Sequence, residues 1–168
     1  MSDSLPNGTW QSWFDAYGRK LLLFARQWAT SAADAEDIVQ EAFVRFWRSP
    51  RRNQGEAPVQ LFAMVRRAGL DQVRSRARRR LREQRATAGK DETAWFSPMD
   101  SNDGRDAEIQ TALRLLSDEQ REVVVLKIWG ELTFEQIGAS LDISPNTAAS
   151  RYRYALEALR RRLTTFTP

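Results

Sequence analysis

Along this chain apolar residues recur every three or four positions and almost nowhere alternate, so nearly every segment able to form structure is confined to an amphipathic helix. Trp10, Phe14, Tyr17, Leu21, Phe24 and Trp28 make the first such stripe and predict a helix from about Trp10 to Ala29. Ser31, with Asp34 three residues on, starts a second. There Ile38, Val39, Ala42, Phe43 and Phe46 form the buried face, and Ser49-Pro50 ends the helix near Arg48. Arg51 to Ala57 reads as a polar loop around Gly55. From Pro58 a third helix carries Leu61, Phe62, Val65 and Ala68 into an Arg-rich stretch, and an N-terminal domain closes near Arg85.

Thr87 to Arg105 holds Gly89, Pro98 and Gly104 without a clean period, which marks a linker. Trp95 and Phe96 within it either tuck against a domain or anchor a partner. Beyond the linker Ile109, Ala112, Leu113 and Leu116 predict a short helix. Ser117 and Gln120 cap the next, which buries Val123, Val124 and Leu126 and stops at Gly130. The expected fold is all-α: two small helical domains, 10–85 and 107–164, joined by a flexible linker at 86–106.

The last two helices are the most sharply punctuated. Thr133 with Gln136 forms a capping box, and Phe134, Ile137 and Leu141 follow on one side. Asp142 and Ile143 make a turn, Ser144 is a good N-cap, and Pro145 fills the first helical position, where its missing N–H costs nothing. At about 100° per residue, Ala148, Tyr152, Ala155, Leu159 and Leu163 share one stripe, leaving Asn146, Thr147, Ser150, Arg153 and Tyr154 facing outward. This is the pattern of a helix-turn-helix whose second helix enters a DNA major groove. The outward side chains suit base edges, while Arg151, Arg160, Arg161 and Arg162 suit phosphates along the flank. An ordinary solvated helix would more often mix Glu with Arg, and here Glu157 is the only acid after Asp142.

Composition excludes much else. The 168 residues contain no Cys and no His, which removes disulfides and the commonest general base. Asp34, Glu36 and Asp37 do not converge on one helical face, so no carboxylate metal site and no catalysis is expected, and no cofactor. The longest aliphatic stretch, Leu21 to Leu23, is far too short for a signal core or membrane span, and the chain reads as cytoplasmic. A formal net charge of +4 is distributed in blocks. Nine Arg lie between Arg66 and Arg85, whereas Ala86 to Glu108 carries six acids against two bases.

The second helix leaves Glu36, Asp37, Gln40, Glu41, Val44 and Arg45 away from its core face. An acidic, glutamine-bearing surface is poor for DNA and suits a basic helical partner. A helix-turn-helix transcriptional regulator acting alone accounts for Leu132 to Arg162 but leaves this face and the Arg-rich third helix without a purpose, and would normally dimerise on palindromes. A helical RNA-binding or scaffold protein accounts for the Arg stretch alone.

The segment Asp34 to Trp47, with Asp37-Ile38-Val39-Gln40-Glu41 at its centre, is followed by the Arg-rich helix, a linker and a four-helix unit. That unit carries Leu116-Ser117-Asp118-Glu119-Gln120-Arg121 and Ser144-Pro145-Asn146-Thr147-Ala148-Ala149-Ser150-Arg151. From about Trp13 to Leu163 the chain resembles a bacterial RNA polymerase sigma factor of the extracytoplasmic-function (ECF) group of the sigma-70 family. The resemblance implies that 10–85 is sigma region 2 and 107–164 sigma region 4. It also implies that Asp37, Gln40 and Glu41 dock on the clamp helices of the largest subunit of core RNA polymerase. Single-strand or phosphate contacts at the minus-10 promoter element would fall to Arg51, Arg52, Asn53, Arg66, Arg67 and Arg74. Promoter melting in this family captures flipped bases in pockets. The minus-35 element would be read by Asn146, Thr147, Ser150, Arg151, Arg153 and Tyr154, and two linked modules gain effective concentration on one promoter. An anti-sigma factor is the further partner the family implies. The sequence departs from the family pattern at Gln60, where a Trp is usual, at Arg67, where an Asn is often found, and at Arg51, which replaces a loop aromatic.

Overall fold

The structure, a computed structural model, describes residues 9–49, 56–83 and 104–163; among these it contains seven α-helices and no strand. The positions 51–53 and the Trp95–Phe96 pair lie outside the described residues. No helix among the described residues is long and apolar enough to cross a membrane.

Three helices make the N-terminal unit: α1 Trp10–Ala25, α2 Ala32–Arg48 and α3 Ala57–Glu83. Each pair of them packs together, around Leu21, Phe24, Ile38, Phe43, Phe46 and Phe62, all at most 2 % exposed. The expected stripe on α1 is only partly right. Trp10 remains 46 % exposed, whereas Trp13, one turn on and outside the stripe, is buried against Phe46 with ring centroids 5.7 Å apart. The helix also stops at Ala25 rather than Ala29. Gln27 N–H bonds Phe24 O and Trp28 N–H bonds Ala25 O, three residues back, and this tighter turn swings the Trp28 indole edge-on to Phe24 at 5.0 Å. Trp28 then lies so close to α3 that a Cβ on Gly69 would fall 2.5 Å from its ring.

Ser31 caps α2 by accepting from Asp34 N–H at 3.1 Å, as the sequence suggests. Asp34 in turn accepts from the Thr30 hydroxyl and N–H. The Thr30 hydroxyl bond, with help from Arg76, holds this carboxyl below its ordinary range. Arg76 also donates to Trp28 O, so α3 is tied to the α1–α2 turn. Beyond Gly69 no residue of α3 is fully buried, although Leu70 and Arg76 are partly covered; this Arg-bearing half is about 20 Å long at 1.5 Å per residue.

The C-terminal unit comprises α4 Gly104–Arg114, α5 Asp118–Ile128, α6 Phe134–Leu141 and α7 Pro145–Leu163. Leu116 lies beyond the end of α4 yet is buried, while Ile109 is 41 % exposed. Arg121 gathers the end of α4, donating to Leu113 O and Leu116 O at 2.9 Å each and to Arg114 O at 3.2 Å. Leu113 O also accepts from Leu116 N–H, and Arg121 adds a side-chain donor at a helix end, where intrahelical partners run out. The capping box expected at Ser117 and Gln120 is formed in full.

The two units touch. Five consecutive residues of α5, Glu122 to Leu126, are buried, more than one helical turn of about 3.6 residues, so the middle of the helix is covered on every side, while Ile128 at its end is 44 % exposed. One side packs on α6 and α7, and α5 also contacts α1. Arg66 of α3 sets its Nε 3.1 and 3.2 Å from the two carboxylate oxygens of Glu122. Nearby, α6 lies against α3, where Ser140 Oγ donates to Val59 O at 3.3 Å and Gln136 donates to Glu56. Lys20 reaches Glu131 at 2.5 Å across the same seam.

Burial pushes the Glu122 carboxyl up from its ordinary value, against the pull of Arg66. A carboxyl raised on folding adds stability that is fully present below its ordinary pKa of 4.5 and is lost as pH rises through the raised value. Replacing it with Gln is therefore expected to flatten the pH dependence of the thermal midpoint between about pH 4.5 and neutrality. At neutral pH the midpoint should hold or rise; a clear drop would mean that the ion pair outweighs its desolvation. Gly69→Ala, which drives a methyl into the Trp28 ring, should cost about 1–3 kcal/mol in urea unfolding. An unchanged midpoint would show that Trp28 is free to move aside.

Candidate nucleic-acid and partner interfaces

Three surfaces carry the residues singled out by sequence. On α2, the side turned from the core presents Glu36, Asp37, Gln40 and Glu41, all exposed, with Val44 47 % exposed among them. Arg45 bridges Glu41 at 2.5 Å and Asp71 of α3 at 3.2 Å. Both links are open to water and so contribute little to stability; the first lies within α2 and the second joins it to α3. Asp37, Gln40 and Glu41 thus share one acidic, partly apolar face that a positively charged helix can lie against.

The Arg set of α3 is divided rather than clustered. Arg67 is exposed, and Arg74 is exposed and 3.8 Å from Asp71. Arg66 instead turns toward the C-terminal unit and is held by Glu122. Sequence reasoning marked Arg66 as basic and missed its partner. The signal was available: an acid directly before Val123-Val124-Val125-Leu126 in a helix must find a cation or lose its charge. Arg51, Arg52 and Asn53 lie outside the described residues.

The helix-turn-helix forms from local chemistry. Thr133 accepts from Gln136 N–H at 3.2 Å, and Gln136 Oε1 accepts from Thr133 N–H at 2.8 Å, closing the box. Asp142 ends α6 in the left-handed region at φ 58°, and Ile143 N–H returns to Gly138 O at 2.9 Å. A Cβ on Gly138 would meet Ile143 O at 2.7 Å, so the tight turn requires glycine there. Ser144 Oγ accepts from Thr147 N–H at 3.0 Å and starts α7. Phe134 meets Tyr152 edge-on at 5.7 Å, and with fully buried Ala148 and Ala155 this fixes how α6 crosses α7.

With those residues inward, Asn146, Thr147, Arg153 and Tyr154 stand exposed and Ser150 and Arg151 half-buried. The Thr147 hydroxyl shares a bond with Ser144 Oγ at 2.8 Å. The Arg153 guanidinium lies 5.1 Å from the Tyr154 ring centre, a contact that steadies both side chains where a groove would receive them. Arg160, Arg161 and Arg162 follow along the exposed flank, Arg161 with Glu157 3.5 Å away.

Comparison with known proteins agrees with this arrangement. Residues 13–79 match the family model of sigma-70 region 2, and residues 106–159 that of sigma-70 region 4. The ECF RNA polymerase sigma factor SigL of Mycobacterium tuberculosis is 31% identical over 151 residues, covering 88% of this chain and 84% of SigL. SigE of Mycolicibacterium smegmatis, another ECF sigma factor, is 30% identical over 163 residues, 94% of this chain and 63% of its own. Among solved structures, the sigma factor RpoE in complex with the anti-sigma factor NepR from Bartonella quintana superposes with a TM-score of 0.69 at 21% identity, over 94% of this chain and 98% of RpoE. CnrH in complex with the cytosolic domain of CnrY gives 0.63, also at 21% identity, over 95% and 92%. With both conserved regions present in order and a relative matched over most of its length, the chain belongs to the ECF group of the sigma-70 family, the sigma factors that direct core RNA polymerase to promoters.

Proposed function

We propose the following division of labour among the surfaces. Region 2 spans 10–85, a linker 86–106 and region 4 107–164. Asp37, Gln40 and Glu41 dock on the clamp helices of the largest polymerase subunit. Arg66, Arg67 and Arg74, with Arg51, Arg52 and Asn53, hold the opened minus-10 element, and Arg67 acts as a phosphate clamp rather than a base reader. Asn146, Thr147, Ser150, Arg153 and Tyr154 read the minus-35 element in the major groove, with Arg151 on its phosphates. The protein performs no covalent chemistry of its own and works in the cytoplasm. Its partners are core polymerase, promoter DNA and an anti-sigma factor; the complexes of RpoE with NepR and of CnrH with CnrY support the last.

The observation that carries this reading is the segregation of charge within one chain. An exposed acidic face on α2 is set apart from the Arg-bearing α3 and from a recognition helix whose outward residues include no acid before Glu157. Attraction to phosphates alone gives weak, salt-sensitive DNA binding, so the acidic face supplies what the Arg surfaces lack, a grip on the enzyme.

Reversing both Asp37 and Glu41 to Lys is expected to weaken co-elution with core polymerase by about a hundredfold, since like charges meeting at an interface cost several kcal/mol. Promoter-specific transcripts should fall in parallel. Retention of both association and output would remove α2 from the interface. Separately, Arg153→Ala should cost about 1–3 kcal/mol in minus-35 discrimination and relax preference at one or two base pairs. A uniform loss across all promoter variants would instead assign Arg153 to phosphate.

A further inference from the structure

Resting on the reading of α2 as the polymerase-gripping helix and α3 as the DNA-holding one, we infer that Arg76 is a positioning residue for promoter opening: it ties the arginine-bearing half of α3 to the first turn of α2 rather than touching DNA. In sequence it is one of nine arginines between Arg66 and Arg85, with nothing to set it apart. The fold sets it apart. Val65, Gly69, Gln72, Arg76 and Arg80 recur every three or four residues on the side of α3 turned to the N-terminal unit, buried at first and half-buried later. Arg74, Arg78, Arg79 and Arg82 stand exposed. With its fork directed at Trp28 O and Asp34, Arg76 points away from the side that exposes Arg74 and Arg78.

Three elements meet at this guanidinium. It donates to Trp28 O in the α1–α2 turn, and its Nη1 lies 3.8 Å from Asp34 Oδ2 in the first turn of α2, the two side chains being 25% and 26% exposed. Asp34 is held from its other side by the Thr30 hydroxyl and N–H. Burial and the neighbouring Arg80 charge work against the Arg76 cation, and Asp34 supplies the compensating charge. Among the described residues a second polar tie, Arg45 to Asp71, joins this half of α3 to α2, but it is more open to water and contributes less.

The junction lies between the two working surfaces. Asp34 precedes Asp37 by three residues, about 4.5 Å along α2, and Arg76 follows Arg74 by two, about 3 Å along α3. It therefore connects the helix that carries the polymerase contact with the helix that carries the DNA contact. A helical end that buries little opens locally, so an unfastened α3 would present Arg74 in many positions. Fastened by Arg76, Arg74 keeps one position relative to Asp37, and opened DNA meets a surface that is already ordered.

The test uses holoenzyme assembled from full-length protein, with promoter opening read by permanganate reactivity and core association by co-elution. Arg76→Ala is expected to leave association intact and to lower opening about tenfold, the order of a lost hydrogen bond to a charged partner. Asp34→Asn, which keeps an oxygen for Thr30 and removes the charge, should lower opening about threefold. Because the two side chains act on each other, the double variant should open no less than Arg76→Ala alone. Losses that multiply in the double variant, undiminished opening in Arg76→Ala, or loss of core association in Arg76→Ala would each overturn the assignment.

A role in stability alone is separated by Ile38→Val, a core variant of α2 that leaves the junction in place and lowers the thermal midpoint by itself. At one temperature below both midpoints Ile38→Val should keep full opening, and a loss there equal to that of Arg76→Ala would overturn positioning. Should Arg76→Ala prove unfolded by circular dichroism, Asp34→Asn carries the same comparison. Arg74→Ala tests the underlying reading by itself, since losing one phosphate contact should lower the slope of log affinity against log salt by about 0.7–0.9. An unchanged slope takes this part of α3 off the DNA, and the positioning role falls with it even where Asp34 and Arg76 remain coupled.

Discussion

A helix has one circumference, and the middle of α5 buries all of it. With Glu122, Val123, Val124, Val125 and Leu126 all at most 5 % exposed, the α6–α7 side alone cannot account for their cover, and the remainder comes from the N-terminal unit. Each valine taken from water contributes roughly 1.5 kcal/mol or more, so leaving that side of α5 bare is costly. The position of region 4 is therefore decided by what covers α5. Everything else at the seam follows, from the register of α6 along α3 to the meeting of Glu122 with Arg66.

Two kinds of contact share that seam and behave differently. Apolar burial of α5 is tolerant of small shifts, because it depends on area rather than direction. The Glu122–Arg66 bond is directional. Area supplies the attraction, and the ion pair adds a directional contact within it. A partner that offered α5 another apolar cover would have to find a substitute for Arg66 as well.

What could be read from sequence divides along the range of the interaction. The helix-turn-helix was legible to the residue, because Thr133–Gln136, Ser144–Thr147 and the Asp142 turn are all settled within three or four positions. The acidic face of α2 was legible for the same reason, as its period is a local property. Trp13 and Trp10 exchanged roles because α2 and not α1 decides which of the two is covered, and α1 ended early because Trp28 had a place waiting beside Gly69. Arg66 was legible as a cation and illegible as a paired one, since its acid lies 56 residues away. Sequence gives the charge of a candidate site; only the packing gives its occupancy.

That distinction bears on how such a protein avoids the wrong DNA. A chain with 26 basic residues and an Arg-rich helix that extends beyond its core attracts any duplex through phosphate neutralisation alone. Nonspecific sites in a genome outnumber promoters by orders of magnitude, so a sigma factor with all its basic surfaces presented would be scattered across them. The exposed carboxylates of Asp37 and Glu41 repel duplex, so that face adds nothing to the scatter.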